Sequence, residues 1–285
     1  MKNNALSHPE LSVIIPCFNC ESSISRAVNS ALIQDVSMQI IIIDDCSSDG
    51  TLSVIRCLEK RFSCIEVIAF DTNMGPAVAR NTGLDAARGD FIAFLDGDDW
   101  WLRGKCRRQI DFMRANNLEF TYHDYYHIRY KDNRPVDFAL VRSPTTASIP
   151  SFFYRRNYGM CLTSMISKRL GKTVRFPQAQ AIVTEDYGFF LQIIRQGVIG
   201  VRVADLRGVY TSQTNNRSAN KVRQAVSVFK VNVLVFRNKK VLALFGFVMY
   251  AIYQISIRVI TRSAYKSVDS IDVCVFEGGA DQDSG

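Results

Sequence analysis

The chain has 285 residues, 47% of them hydrophobic and 22% charged, with a formal charge of +8. That composition excludes a globally disordered chain and leaves room for roughly one or two domains with a packed core. Lysine and arginine are spread along the chain, and the excess is too small to demand nucleic acid; it suits an anionic ligand or surface.

The opening "MKNNALSHPE" is polar and lacks the apolar stretch of a signal peptide. Eight cysteines are scattered through what read as core elements, which fits a reduced, cytoplasmic compartment. Cys17 and Cys20 form a lone C-x-x-C with no second pair at zinc spacing. Ordinary buried thiols outweigh a redox reading of that pair.

"LSVIIP" (11–16) is a short apolar run stopped by proline and reads as a buried strand. In 21–34, Ile24, Ala27, Val28, Ala31 and Leu32 recur at helical spacing. A second strand is expected at 39–45, then a helix over 49–62 that Ser48 or Asp49 would cap. A third strand (65–70), a third helix (75–87) and a fourth strand (90–96) follow. Strands alternating with helices predict βαβ units and a mostly parallel sheet, and unbroken apolar strands predict cover on both faces. Ligands bind such sheets at the carboxyl ends of the strands. Those ends are 16–19, Asp44-Asp45 and Asp96–Asp99, all polar or acidic.

Beyond Trp101 the pattern loosens. A basic helix is expected over 101–117, an aromatic strand over 119–130 and a Ser/Thr/Pro loop over 142–150. Residues 184–197 read as a helix with a threonine cap, acids in the first turn and a closing glycine.

Asp96, Asp98 and Asp99 end an apolar run and repel one another. Such carboxylates share a proton, face water or hold a cation. The D-x-D spacing lets Asp96 and Asp98 point the same way, and Gly97 leaves room for a close approach to the backbone. Hard oxygen ligands select Mg²⁺ or Mn²⁺, ions that commonly keep substrate phosphates in their shell. A solvated acidic turn is the plainer alternative.

"LSVIIPCFNCESSISRAVNSAL", "IIIIDDCSSDGT", "NMGPAVARNTGLDAARGDFIAFLDGDDWW" and "TEDYGFFLQIIRQG" occur in that order. Together they resemble the inverting glycosyltransferase family 2, of the bacterial surface-polysaccharide type, over residues 11–215. The resemblance implies the GT-A fold: a Rossmann-like, mostly parallel sheet flanked by helices, here with a C-terminal helical extension. It also implies a UDP-sugar or related donor, Mn²⁺ or Mg²⁺, and a glycan or lipid-linked glycan acceptor. By the same resemblance Pro16, Phe18, Asn19 and Glu21 would line the nucleotide pocket and Asp45 would bind the base, with Asp44 bracing the loop. Arg80 would face the diphosphate, or else be an ordinary charge on a helix surface. Asp96, Gly97 and Asp98 occupy the family's D-x-D, with Asp99 beside it; Asp96 and Gly97 would touch the nucleotide, and Asp96, Asp98 and Asp99 the metal. Asp186, in the "ED" pair with Glu185, would be the catalytic base.

That chemistry suits those residue types. Charge builds on the leaving diphosphate, which a cation neutralises, while a carboxylate takes the proton of the attacking hydroxyl. At a helix N-terminus Asp186 stays ionised, although it could there do no more than stabilise the helix.

His123 and His127 stand four apart but in a strand-like segment, so structural or acceptor-groove roles outweigh zinc. Trp100 and Trp101 could stack on a sugar, Trp101 being the better core residue. "VLALFGFVMYAIYQISI" (241–257) is uncharged with basic flanks: a short spanning helix, an interfacial helix or a buried one. The first two place the protein at the cytoplasmic membrane face, peripheral or C-terminally anchored. The chain thus divides into a tail (1–10), a nucleotide-sugar half (11–115), an acceptor half (116–220), a helical, membrane-associated region (221–265) and a flexible tail (266–285). A nucleotidyltransferase of similar fold is disfavoured because no Gly-rich, Lys-bearing loop follows the first strand; an inactive nucleotide-sugar-binding module is disfavoured by the full set of carboxylates.

Overall fold

A computed structural model describes residues 8–132, 134–148, 161–178, 182, 184–204, 208–213, 221–236, 248 and 266–267. Apart from Val248, the uncharged segment 241–257 lies outside the described residues. No helix among the described residues is long and apolar enough to cross a membrane.

The first half alternates as the periodicity predicts. Strands β1 (Leu11–Cys17), β2 (Met38–Asp44), β3 (Ile65–Ala69) and β4 (Phe91–Phe94) alternate with helices α1 (Ile24–Leu32), α2 (Thr51–Arg61) and α3 (Pro76–Ala86). Those strands pair in parallel in the order β3-β2-β1-β4. Then come β5 (Trp100–Trp101), α4 (Lys105–Ala115), β6 (Phe120–His123), β7 (Tyr125–Lys131), β8 (Arg134–Val141) and β9 (Thr146–Ala147). A 3₁₀ turn (Cys161–Thr163), β10 (Met165–Ser167) and α5 (Lys168–Thr173) lead to α6 (Glu185–Arg195), β11 (Gly200–Val203), β12 (Gly208–Gln213), α7 (Lys221–Val235) and β13 (Lys266–Ser267). The main sheet has eight strands, β3-β2-β1-β4-β10-β6-β11-β9, with β10 antiparallel to both its neighbours. A second sheet, β13-β8-β7-β12-β5, stands beside it. Its edge strand β13 lies at the start of the expected tail and pairs with β8.

Alternation along the strands splits the core in two. Ile14, Ile41, Ile43, Ile92 and Phe94 pack on one face with Phe176, Phe189 and Phe190. Val13, Ile15, Ile40, Ile42, Ala93 and Leu95 pack on the other with residues of α1 and α4. Each valine, leucine, isoleucine or phenylalanine among them, fully buried, contributes about 1.5–3 kcal/mol. Helix α3 lies close on the sheet because of Gly83: a Cβ there would sit 2.4 Å from Ile14 Cγ2.

Two expectations needed correction. The aromatic run 119–130 is not one strand. It breaks at Asp124 into β6 and β7, which belong to different sheets. Asp124 is buried, accepts a hydrogen bond from Ser143 N–H at 2.7 Å and pairs with Arg202 at 3.0 Å. The loop 142–150 contains β9, which pairs with β11.

Candidate active site

The carboxyl ends of β1, β2 and β4 meet as expected, and side chain–backbone bonds fix their loops. Asp44 braces its own turn, accepting from Ser47 N–H at 3.2 Å and Ser47 Oγ at 2.5 Å. Asn19 has a positive φ of 53°. Its Oδ1 accepts from Ser48 N–H at 2.8 Å, and its own N–H donates to Ser47 Oγ at 2.9 Å. Glu21 accepts from Gly50 N–H at 2.9 Å, while Asp49 accepts from Glu21 N–H at 3.2 Å. Asn19 and Glu21, expected at the nucleotide, therefore lace the β1 loop to the β2 loop. Gly50 occupies the cap position of α2, but the Asp49 carboxylate serves its first N–H, that of Thr51, at 3.0 Å.

Asp45 is buried and accepts from the N–H groups of Met74 and Gly75 at 2.7 and 2.9 Å, just ahead of α3. Pro16 is buried within β1, whereas the Phe18 ring is 48% exposed beside these loops, an apolar face presented at the strand ends.

The D-x-D loop is held from several sides through its backbone. Gly97 C=O accepts from Ser23 Oγ at 2.8 Å. Asp98 C=O accepts from Arg26 at 3.0 Å and from Thr211 Oγ1 at 3.1 Å. With its backbone tethered, the Asp98 carboxylate stays exposed to solvent. Desolvation by the surrounding protein, then repulsion from Asp96, pushes it to about 6. Asp99 is buried instead and accepts from Thr211 N–H at 2.8 Å. Burial first, then the Asp98 and Asp96 charges, raises it well above the carboxylate range. The room expected beside Gly97 is taken by the C-x-x-C pair: a Cβ there would lie 3.1 Å from Cys20 Sγ and 3.3 Å from Cys17 Cβ. Both thiols are free, and burial raises both, Cys20 to about 11.

Behind the loop both tryptophans are buried and neither offers an open ring. Arg26 covers Trp100 at 3.9 Å, and the buried Lys105 amine sits 3.9 Å from the Trp101 ring centre. Burial lowers Lys105 to about 8.

Arg80 joins the two halves. Its side chain is 8% exposed and pairs with Asp96 at 2.7 Å and with Glu185 at 3.3 Å. Glu185 opens α6, so this ion triad brings the "ED" pair to the D-x-D loop. Burial raises Glu185 against the pull of Arg80. Asp186 is half-buried beside it. The buried thiol of Cys161 is raised by burial and, against the pull of Arg80, also by the charges of Asp96, Asp186 and Glu185. Tyr210 is raised by burial and then by Asp99, Asp98, Asp96 and Asp186. All these carboxylates thus act on shared neighbours. The expected threonine cap of α6 is absent: Thr184 Oγ1 is instead 2.8 Å from Ser227 Oγ of α7.

His123 and His127 lie in separate sheets, with His123 Nδ1 2.7 Å from the Asp124 carbonyl and His127 Nε2 2.7 Å from Ser212 Oγ. No group of three or more His, Cys, Asp or Glu side chains is gathered for a metal among the described residues. Ser23, Arg26, Glu185 and Thr211 were not among the expected site residues. Only Glu185 carried a signal, its place next to Asp186.

The fold around these loops is the GT-A fold of glycosyltransferases. The model of glycosyl transferase family 2 matches residues 12–170, and the chain belongs to that family. TuaG of Bacillus subtilis, by its name a provisional teichuronic acid biosynthesis glycosyltransferase, is 30% identical over 85% of this chain and 95% of its own. WfaP of Escherichia coli is 32% identical over 76% of this chain and 82% of its own; its name is UDP-Glc:alpha-D-GlcNAc-diphosphoundecaprenol beta-1,3-glucosyltransferase. The fold is shared with Staphylococcus aureus TarS in complex with UDP-GlcNAc, at a TM-score of 0.68 and 19% identity over 87% of this chain and 73% of that one.

Proposed function

We propose that this glycosyltransferase moves a sugar, with inversion, from a UDP-sugar to a hydroxyl of a glycan or lipid-linked glycan during surface-polysaccharide assembly at the cytoplasmic membrane face. The observation that carries the reading is the Arg80 bridge, which joins Asp96 of the D-x-D loop to Glu185, the neighbour of Asp186. The names of WfaP and TuaG support the acceptor class and the process. In this reading residues 11–115 hold the donor and 116–220 the acceptor.

The residues present fit a divalent cation. Asp96 and Asp98 are hard oxygen donors; desolvation and then the charge of Asp96 lift Asp98 to about 6, and a cation offsets both. When bound, Mn²⁺ or Mg²⁺ supplies Lewis-acid neutralisation of the leaving diphosphate. Buried, and raised well above its ordinary value by burial and the neighbouring charges, Asp99 anchors β12 rather than serving as a ligand. Phe18 stacks on the nucleobase and Asp45 accepts from its edge. Arg80 fixes Asp96 and sets the distance to α6. Asp186 takes the acceptor proton as the hydroxyl attacks the face opposite the diphosphate.

Donor hydrolysis and transfer, each measured with Mn²⁺ and with excess EDTA, test this. The reading requires turnover of a UDP-sugar that EDTA abolishes. Full activity in EDTA removes the metal, and no turnover of any nucleotide sugar removes the donor class.

A further inference from the structure

Helix α7 has two apolar sides. Val228, Val231 and Val235 are buried, together with Ser227 and Asn232. Val226, Val233 and Leu234 are 47%, 45% and 38% exposed, and Lys230 is exposed among them. A surface helix ordinarily sets a polar face against water, and this one sets valine and leucine there.

The charge of the chain is concentrated in the same region. Residues 221–266 contain nine lysines and arginines and no aspartate or glutamate. The whole chain carries +8, so everything outside that stretch sums to −1. Exposed apolar side chains beside Lys230, in a stretch of sequence whose charges are all positive, suit the boundary of an anionic bilayer, where the side chains enter the acyl edge and the cations meet lipid phosphates. The uncharged run 241–257 follows in the same stretch and extends that character.

We infer that the outward face of α7 docks onto an anionic phospholipid surface. The contacts of α7 give this docking a consequence for catalysis, which rests on the reading of the protein as a transferase with a lipid-linked acceptor. Ser227 Oγ meets Thr184 Oγ1 at 2.8 Å, one residue before Glu185. Asn232 Oδ1 accepts from the Tyr187 hydroxyl at 3.0 Å, one residue after Asp186. Both bonds tie the docking helix to the turn that bears the base. A bilayer that fixes α7 therefore fixes the attitude of Asp186 towards an acceptor embedded in the same bilayer.

The test is flotation of the full chain with vesicles of phosphatidylcholine alone or mixed with phosphatidylglycerol. The wild type is expected to float with the anionic vesicles, less so at high salt, and weakly with the neutral ones. The double variant Val226→Glu/Val233→Glu changes two exposed positions and is expected to weaken anionic-vesicle binding by at least about tenfold. Donor hydrolysis in solution should be unchanged in that variant, while transfer to a vesicle-borne acceptor falls. Equal flotation of variant and wild type overturns the inference and assigns any anchoring to 241–257. A dimer that the variant dissociates, seen by light scattering, also overturns it and makes the face a self-association surface. Absence of donor hydrolysis in the wild type sinks the enzymatic reading alone, because flotation does not depend on it.

Discussion

The two sides of the cleft are held by different means. On the donor side, the loops after β1, β2 and β4 are tied through backbone groups: Ser48 to Asn19, Gly50 to Glu21, Gly97 to Ser23, Asp98 to Arg26. On the side that the proposed function gives to the acceptor, the start of α6 is held, among the described residues, by side-chain bonds of Glu185 to Arg80, Thr184 to Ser227 and Tyr187 to Asn232, across 105, 43 and 45 residues of chain. Backbone lacing makes a rigid seat whose residues recur at short, readable intervals. Side-chain tethers make a joint that depends on a few distant charges. Substitutions should therefore divide between the two sides.

The largest effect is expected at the donor side. Asp98→Ala leaves its backbone tethers in place but removes the exposed carboxylate. Turnover should fall by roughly 10²–10³, the scale of losing one electrostatic stabiliser of developing charge, and nucleotide-sugar binding should become insensitive to Mn²⁺. Titration calorimetry with and without Mn²⁺ checks this; binding that still responds to the ion would spare Asp98.

The joint should break at Arg80. Arg80→Ala strands Asp96 and Glu185 as half-buried charges, at a cost of about 3–5 kcal/mol in stability by urea denaturation. Glu185→Gln should cost much less, because it removes a charge that burial already disfavours. Equal losses from the two changes would mean that Arg80 matters through packing on Phe176, whose ring centre lies 5.4 Å away.

These two sides also differ in how far the sequence discloses them. The βαβ order follows from periodicity, and the polar or acidic strand ends and the D-x-D loop from residue type and spacing, since both the signal and its cause are local. The break at Asp124 was hidden because its partner Arg202 lies 78 residues on. The Arg80 bridge was half-visible: Arg80 and Asp96 were both singled out, but nothing at 80 points to 185. The occupied space at Gly97 was hidden although every residue was in view, because "Cys-x-x-Cys" states no direction for its thiols.

That last point can be sharpened. Gly97→Ala should destabilise by about 1–3 kcal/mol, and adding Cys20→Ala should recover part of it, since the nearest obstruction is Cys20 Sγ. Strictly additive losses in that cycle would separate the two sites.

The smallest effect lies away from the cleft. Burial, then the Arg129 charge, lowers His127 to about 4 from an ordinary 6.5. The unfolded chain accepts that proton first as pH falls. The stabilisation is therefore complete above pH 6.5, declines through the window and is gone below about 4. His127→Gln should flatten the melting temperature across that window by a few degrees; an unchanged slope would assign it to other groups.

The central claim is that the two sets of carboxylates do separate work, charge neutralisation at Asp96 and Asp98 and proton removal at Asp186. Donor affinity by calorimetry, set beside transfer rate at saturating donor, tests it on Asp186→Asn and Asp98→Asn. Asp186→Asn should bind donor as the wild type does and transfer roughly 10²–10⁴-fold more slowly, the usual worth of a general base. Asp98→Asn should lose affinity and rate together. An Asp186→Asn variant that binds donor weakly yet transfers at the wild-type rate would contradict the division and pass the proton to Glu185.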